Sequence, residues 1–159
     1  MKHFLFIFPL VMVLFLACAS GANVTEPLTY SEVVDVTGVS QSDLFIKANL
    51  WFVDAFRDAG SVIQFSDRES GVISGKYIGN RFMIGMYFFQ ISSTITVEVR
   101  DGRYRISFTD PIANRYLRLG DPFTERPVDT EELVNRTKEE WTQLAASLKS
   151  SILSEEIPW

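Results

Sequence analysis

The stretch Val97-Glu98-Val99-Arg100-Asp101-Gly102-Arg103-Tyr104-Arg105 decides the fold, because it is two alternating runs joined by an Asp-Gly pair. Asp-Gly between alternating apolar residues signals a two-residue hairpin, since glycine and aspartate tolerate the positive φ that such a turn needs. The turn also sets the register. Counting outward, Arg100 faces Arg103, Val99 faces Tyr104, Glu98 faces Arg105, Val97 faces Ile106 and Ile95 faces Phe108. One face is therefore apolar and the other carries a Glu98–Arg105 cross-strand pair.

Upstream, Ser61 to Ser66 alternates through Ile63 and Phe65, Asp67 to Gly71 supplies a turn, and Val72 to Ile78 returns as a second hairpin. Asp67 and Glu69 present oxygens on that loop, but without the ligand count and spacing of a calcium loop, so they read as turn residues. Tyr30 to Thr37 is rich in β-branched residues and predicts a first strand.

Between this strand and the hairpins, Ser40 or Ser42 offers an N-cap to a helix reaching Asp58. Leu44, Phe45, Ala48, Trp51, Phe52, Ala55 and Phe56 form its main face, and Ile46, Leu50 and Val53 a second stripe, which predicts contact on two sides. A final helix follows the capping-box pattern of Asp129 and Glu132, with Leu133, Val134, Trp141, Leu144, Ala145, Leu148 and Ile152 on one arc.

Two segments resist assignment. Phe82 to Phe89 is apolar at both even and odd positions, which suits a doubly covered central strand or, alternatively, an apolar partner surface, a lipid-touching loop or a dimer seam. Residues 111 to 128, with Pro111, Gly120, Pro122 and Pro127, are expected to form a long irregular connection, in which Arg115, Tyr116 and Arg118 would suit an anionic or sugar ligand. The fold expected is α+β: a curved antiparallel sheet of about five strands, in the order β-α-β-β-β-β-α, with both helices on one face.

The N-terminus predicts export. Met1-Lys2-His3 precedes an uncharged run from Phe4 to Ala17, short for a membrane span and broken by Pro9, as in a signal peptide over residues 1–17. Cys18 follows Ala17 at the position of a lipobox cysteine, although Phe15 stands where a leucine is usual; cleavage among Ala17 and Ala19 without acylation is the alternative. Cys18 is the chain's one cysteine, so it reads as reserved for lipid attachment in a compartment where other thiols would pair or react. Residues 18–28 then form a lipidated tether and 29–155 a single domain.

The only histidine, His3, leaves with the leader, which removes the commonest nucleophile-base pairs and most zinc or copper sites from the mature chain. Lys2 leaves too, so 14 basic residues face 20 acidic ones, a net charge of about −6 that argues against a nucleic-acid partner. The sequence nominates no catalytic residue, metal ligand or cofactor.

Ser42-Asp43-Leu44, Trp51, Phe56, Ile63-Gln64-Phe65, Asp67 through Gly71 and above all Val97 through Arg105 resemble a family of secreted bacterial lipoprotein domains of unknown function with a TATA-binding-protein-like fold. The resemblance covers roughly residues 29 to 110. It implies a curved antiparallel sheet backed by helices and an exported location, and it brings no catalytic or binding residues. The expectation is a non-enzymatic lipoprotein domain of the bacterial cell envelope. Attached to the outer membrane through Cys18, periplasm-facing or surface-exposed, it would bind a protein or envelope polymer. A hydrolase or ligand sensor using carboxylates and hydroxyls, and a self-associating module, are the alternatives.

Overall fold

A computed structural model describes residues 26–56, 62–118 and 120–154. Strand β1 (Tyr30–Asp35) is followed by helix α1 (Gln41–Ala55), strands β2 (Ile63–Asp67), β3 (Val72–Ile84), β4 (Tyr87–Arg100), β5 (Arg103–Tyr116) and β6 (Thr124–Pro127), and helix α2 (Glu131–Leu153). The strands form one antiparallel sheet in the order β1-β5-β4-β3-β2, and β6 pairs with the far half of β5. The α+β architecture with two helices on one face is as expected, with six strands in place of five.

The Asp101–Gly102 hairpin has the expected register, from Arg100–Arg103 through Ile95–Phe108. Tyr104, Ile106 and Phe108 on β5 and Ile95, Val97 and Val99 on β4 are buried against Leu44, Ala48, Trp51 and Phe52 of α1 and Trp141, Ala145 and Leu148 of α2. Trp141 stacks on Phe108 with ring centroids 5.4 Å apart, and its indole N–H donates to Ser93 Oγ at 3.1 Å. The one polar group of this apolar anchor is thereby satisfied. Trp51 ties the helices together by donating to Ser147 Oγ at 3.1 Å.

Both helices start at hydroxyl caps. Ser40 Oγ accepts from Asp43 N at 3.2 Å. The second cap is Thr130, whose Oγ1 accepts from Leu133 N at 3.4 Å. The N-cap is thus one residue later than expected, and with Leu133 at the third helical position the expected Asp129–Glu132 capping box does not form; Asp129 instead pairs with Arg126. At the other end of α2, Lys47 of α1 donates to the carbonyl oxygens of Ile152 and Ser154, supplying a cation to orphan acceptors. The apolar packing of α1 against the sheet and α2 runs through its main face; of its second stripe, Ile46 and Val53 are exposed.

The three long strands carry irregularities at one level. On β3, Gly79 and Asn80 oppose one residue of β4; on β5, Asp110 and Pro111 oppose Ser93. Asp110 takes a positive φ of 52° there. Such bulges bend a sheet and, by inserting one residue, reverse which side chains face inward.

Two expectations fail beyond this level. Phe82 to Phe89 is no single central strand: it folds back at Gly85–Met86, so Phe82 stacks on Phe89 at 6.1 Å on the helix side. Residues 111–128 are no irregular connection either, since 111–116 continue β5 and 124–127 pair with it. The prolines misled, because Pro111 sits at a bulge and Pro127 on an edge strand, two places where a missing N–H is tolerated.

Candidate functional site

Both helices pack on one face of the sheet, and the side chains of the opposite face define the candidate site. On its near half, β1, β5, β4 and β3 bring Ser31, Ser107, Thr96 and Ser74 into one cross-strand row. Ser31 and Ser107 hydroxyls lie 3.2 Å apart, and those of Ser74 and Thr96 3.0 Å apart. Hydroxyls facing one another can each donate or accept outward, so the row offers mixed hydrogen-bonding capacity.

One step toward the Asp101–Gly102 turn, Arg105 Nε donates to Glu98 Oε2 at 2.6 Å, which balances both charges in place. One step further, Arg100 and Arg103 face each other across the strand pair, with Asp35 opposite Arg103 on β1. Among the described residues neither arginine forms an ion pair. Val33, Glu98, Arg100, Arg103 and Arg105 line a shallow, open depression of about 210 Å³. Two guanidiniums that form no ion pair among the described residues, on the turn side of the Glu98–Arg105 pair, can bind a carboxylate or phosphate bidentately.

Beyond the bulges the same face turns apolar. Met83, Phe88 and Tyr116 lie opposite one another on β3, β4 and β5, and Phe123 closes the row with its ring 5.8 Å from that of Tyr116. Arg81 lies over the Tyr116 ring at 5.6 Å, and Tyr116 Oη donates to Gln90 Oε1 at 3.3 Å.

The predicted trio is therefore split. Arg115 and Tyr116 are consecutive strand residues and point to opposite faces. Arg115 packs 4.8 Å above the Tyr87 ring, and Arg118 is exposed in the bend after β5. No common ligand pose joins all three. Cys18 lies outside the described residues. Asp67 accepts from Glu69 N at 3.0 Å, as the turn reading requires, and its hydrogen bonds hold its carboxyl below the usual range. The Arg100–Arg103 pair escaped the sequence reading although the hairpin register had placed the two face to face; its signal was present as the one cross-strand like-charge pair.

Inside the fold, burial pushes the Glu140 carboxyl upward, against the hydrogen bond it accepts from Tyr77 Oη at 3.2 Å and the nearby Arg136. The Tyr77 hydroxyl is pushed upward as well, first by burial and then by Glu140. Gly79 leaves the room that the Glu140 carboxylate occupies, since a Cβ there would collide with it. These groups lock α2 onto the bulge of β3 on the face away from the site.

Comparison with solved structures agrees with this architecture. A TBP-like protein from Parabacteroides distasonis superposes with a TM-score of 0.68 at 16% identity, over 82% of this chain and 95% of that one. A DUF4468 family protein from Bacteroides ovatus gives 0.64 at 12% identity, over 86% and 92%. At these identities the likeness speaks for fold alone. No curated protein matches the sequence. The family profile described as a domain of unknown function (DUF4468) with TBP-like fold matches residues 30–112, from the first residue of β1 to just past the β5 bulge. This chain belongs to the DUF4468 family.

Proposed function

We propose that this chain is a non-enzymatic, exported domain of the bacterial cell envelope, tethered to a membrane through a lipid on Cys18, and that it binds a protein or envelope polymer on the outer face of its sheet. The observation that carries the binding reading is the asymmetry of the sheet: one face is filled by two helices, and the other displays a hydroxyl row, the Glu98–Arg105 pair and, beyond it, Arg100 and Arg103, which form no ion pair among the described residues. The ligand group this chemistry suits is a carboxylate or phosphate on the partner. Export and tethering are supported by the leader pattern and by the placement of the single cysteine directly after it.

Site-specific photo-cross-linking in the producing cells tests the binding surface. A cross-linker at Thr96 is expected to give a discrete adduct that Arg103→Glu weakens, while one at Lys149 on the exposed side of α2 gives none. Equal adducts at the two positions, or none at either, would refute the surface. Fatty-acid labelling tests the anchor separately, since label persisting in Cys18→Ala excludes acylation at that residue.

A further inference from the structure

We propose that the far end of the sheet, where β3 turns into β4 and β5 leads to β6, rests on the bilayer that holds the anchor, so that the domain lies against the membrane by its tip. This rests on the exported, membrane-tethered reading above and adds a contact that the anchor alone does not require.

The tip gathers four of the ten large apolar side chains that are exposed among the described residues. Met86 in the turn is 70% exposed, and Met83, Leu117 and Phe123 are 58%, 55% and 51% exposed. Large apolar side chains scattered singly are ordinary on a surface, but four of them gathered at one end are not. The opposite end differs at its turns, Asp67 to Gly71 and Asp101–Gly102, which hold no large apolar residue; its exposed apolar side chains, Val33 and Phe65, stand apart on the two outer strands β1 and β2.

Charge points the same way. In the two tip segments, 81–89 and 115–123, three arginines (Arg81, Arg115, Arg118) accompany one acid (Asp121), in a mature chain of net charge about −6. A protein of that sign is repelled by anionic lipid headgroups unless it presents a locally basic surface. Apolar side chains dipping into the headgroup boundary with arginines at their rim are the composition of an interfacial contact, and methionine and phenylalanine add buried area there.

Chain geometry permits it. β1 begins at Tyr30, opposite Phe108, and runs away from the tip to Asp35, opposite Arg103. Its first residue is thus its tip-proximal end. Eight residues of β5 separate Phe108 from Tyr116, about 26 Å at strand rise. Twelve residues separate Cys18 from Tyr30, which span up to about 40 Å when extended. The tether therefore reaches the plane of the tip. It reaches the opposite end as well, and the composition of the two ends makes the choice between them.

The test uses the full chain on vesicles of phosphatidylethanolamine and phosphatidylglycerol, with an environment-sensitive fluorophore on a cysteine introduced at Met86, at Phe123 or, as the control, at Glu69 in the opposite turn. Acylation blocks Cys18, so each introduced thiol is the single labelling site; fatty-acid incorporation is measured alongside, and the Cys18→Ala background serves if the label is absent. We expect Met86→Cys and Phe123→Cys fluorophores to shift to the blue and lose most of their emission to bilayer-depth quenching lipids, with Glu69→Cys unchanged. Tip fluorophores as wet as the one at Glu69 would overturn the contact. A blue shift without lipid quenching would overturn it too, in favour of a protein covering the tip. Because fatty-acid incorporation is read independently, loss of the anchor and loss of the tip contact remain separate results.

Discussion

The near and far halves of the sheet are made by the same three strands, β3, β4 and β5, yet the near half is a core and the far half is a thin hairpin platform. The difference lies in helix coverage. In the near half, Ile73, Ile95, Val97, Val99, Tyr104, Ile106 and Phe108 lie beneath both helices. In the far half, Phe89, Ala113 and Leu133 form a small buried cluster that Phe82, Ile84, Tyr87 and Val128 only partly enclose. Stability tracks buried apolar area, so the two halves teach that a continuous strand need not be a uniform element. The sharpest way to break this contrast is to truncate one anchor on each side. Trp141→Ala removes a fully buried indole, its stacking on Phe108 and its bond to Ser93, and is expected to cost about 3–5 kcal/mol in urea unfolding. Phe89→Ala should cost less, about 2–3 kcal/mol, because neighbours at a partly open cluster can relax into the space. Equal losses would mean that the halves share one core. Amide exchange gives the same contrast without mutation: the amides of 112–116 should exchange faster than those of 104–108.

The turns at the two ends differ in the same sense. Gly71, ending the near-end turn, has φ of +70°, and a Cβ there would collide with the Val99 carbonyl oxygen. Gly71→Ala therefore adds a backbone clash to left-handed strain, and a loss of about 2 kcal/mol or more is expected. Gly85, in the far turn, has φ of +59° and open space around it, so Gly85→Ala should cost only the conformational term, about 1 kcal/mol. Paired denaturation curves check both, and a reversed order would refute the contrast in packing.

Glu140 sits where the halves meet, facing Tyr77 and Gly79 of β3 and flanked by Arg136 and Glu139 on its own helix. Burial raises its carboxyl above the ordinary value of 4.5, so the folded protein holds this proton more tightly than the unfolded chain does. The stabilising contribution of the protonated group is complete below the unfolded value and is lost as pH rises through the folded one. Glu140→Gln keeps an acceptor for Tyr77 and removes the titration. Its stability relative to the native protein should therefore be greater at neutral pH than at pH 4, read from melting midpoints across that range. A difference independent of pH would exclude burial of the carboxylate as the cause.

How far the sequence disclosed this molecule follows the same division. The near half was legible because Asp101–Gly102 fixes a register and alternation carries it to Phe108 without interruption. The far half was not, because the bulges at Gly79–Asn80 and Asp110–Pro111 reverse the alternation: Tyr77 points inward before the bulge, and Phe82 and Ile84 after it. An inward set that changes parity, followed by a turn at Gly85–Met86, reads in sequence as apolar in both directions. Arg115 and Tyr116 looked like partners because they are neighbours in a segment taken for a loop; on a strand the same adjacency sends them to opposite faces. Thr137 is a smaller omission, a polar residue on the buried arc of α2 whose hydroxyl donates to the Leu133 carbonyl at 2.7 Å and so needs no outside partner.

The smallest expected effect is at the tip itself. Met86 is the most exposed of the large apolar side chains among the described residues and contributes little buried area, so Met86→Ser should leave the unfolding free energy within about 0.5 kcal/mol of the native protein. That near-silence separates two explanations for an exposed methionine beside Met83, Leu117 and Phe123. If Met86 belonged to a self-association seam formed by the domain alone, its loss would lower the apparent stability in a way that depends on protein concentration, because dimerisation couples to folding by mass action. If it faces a bilayer, a solution of the protein without lipid loses nothing, and the effect appears only on vesicles. Unfolding midpoints that stay constant across a range of protein concentrations, in both the native and the Met86→Ser proteins, are the expected outcome; a concentration-dependent gap between them would move the tip from the membrane to a second copy of the chain.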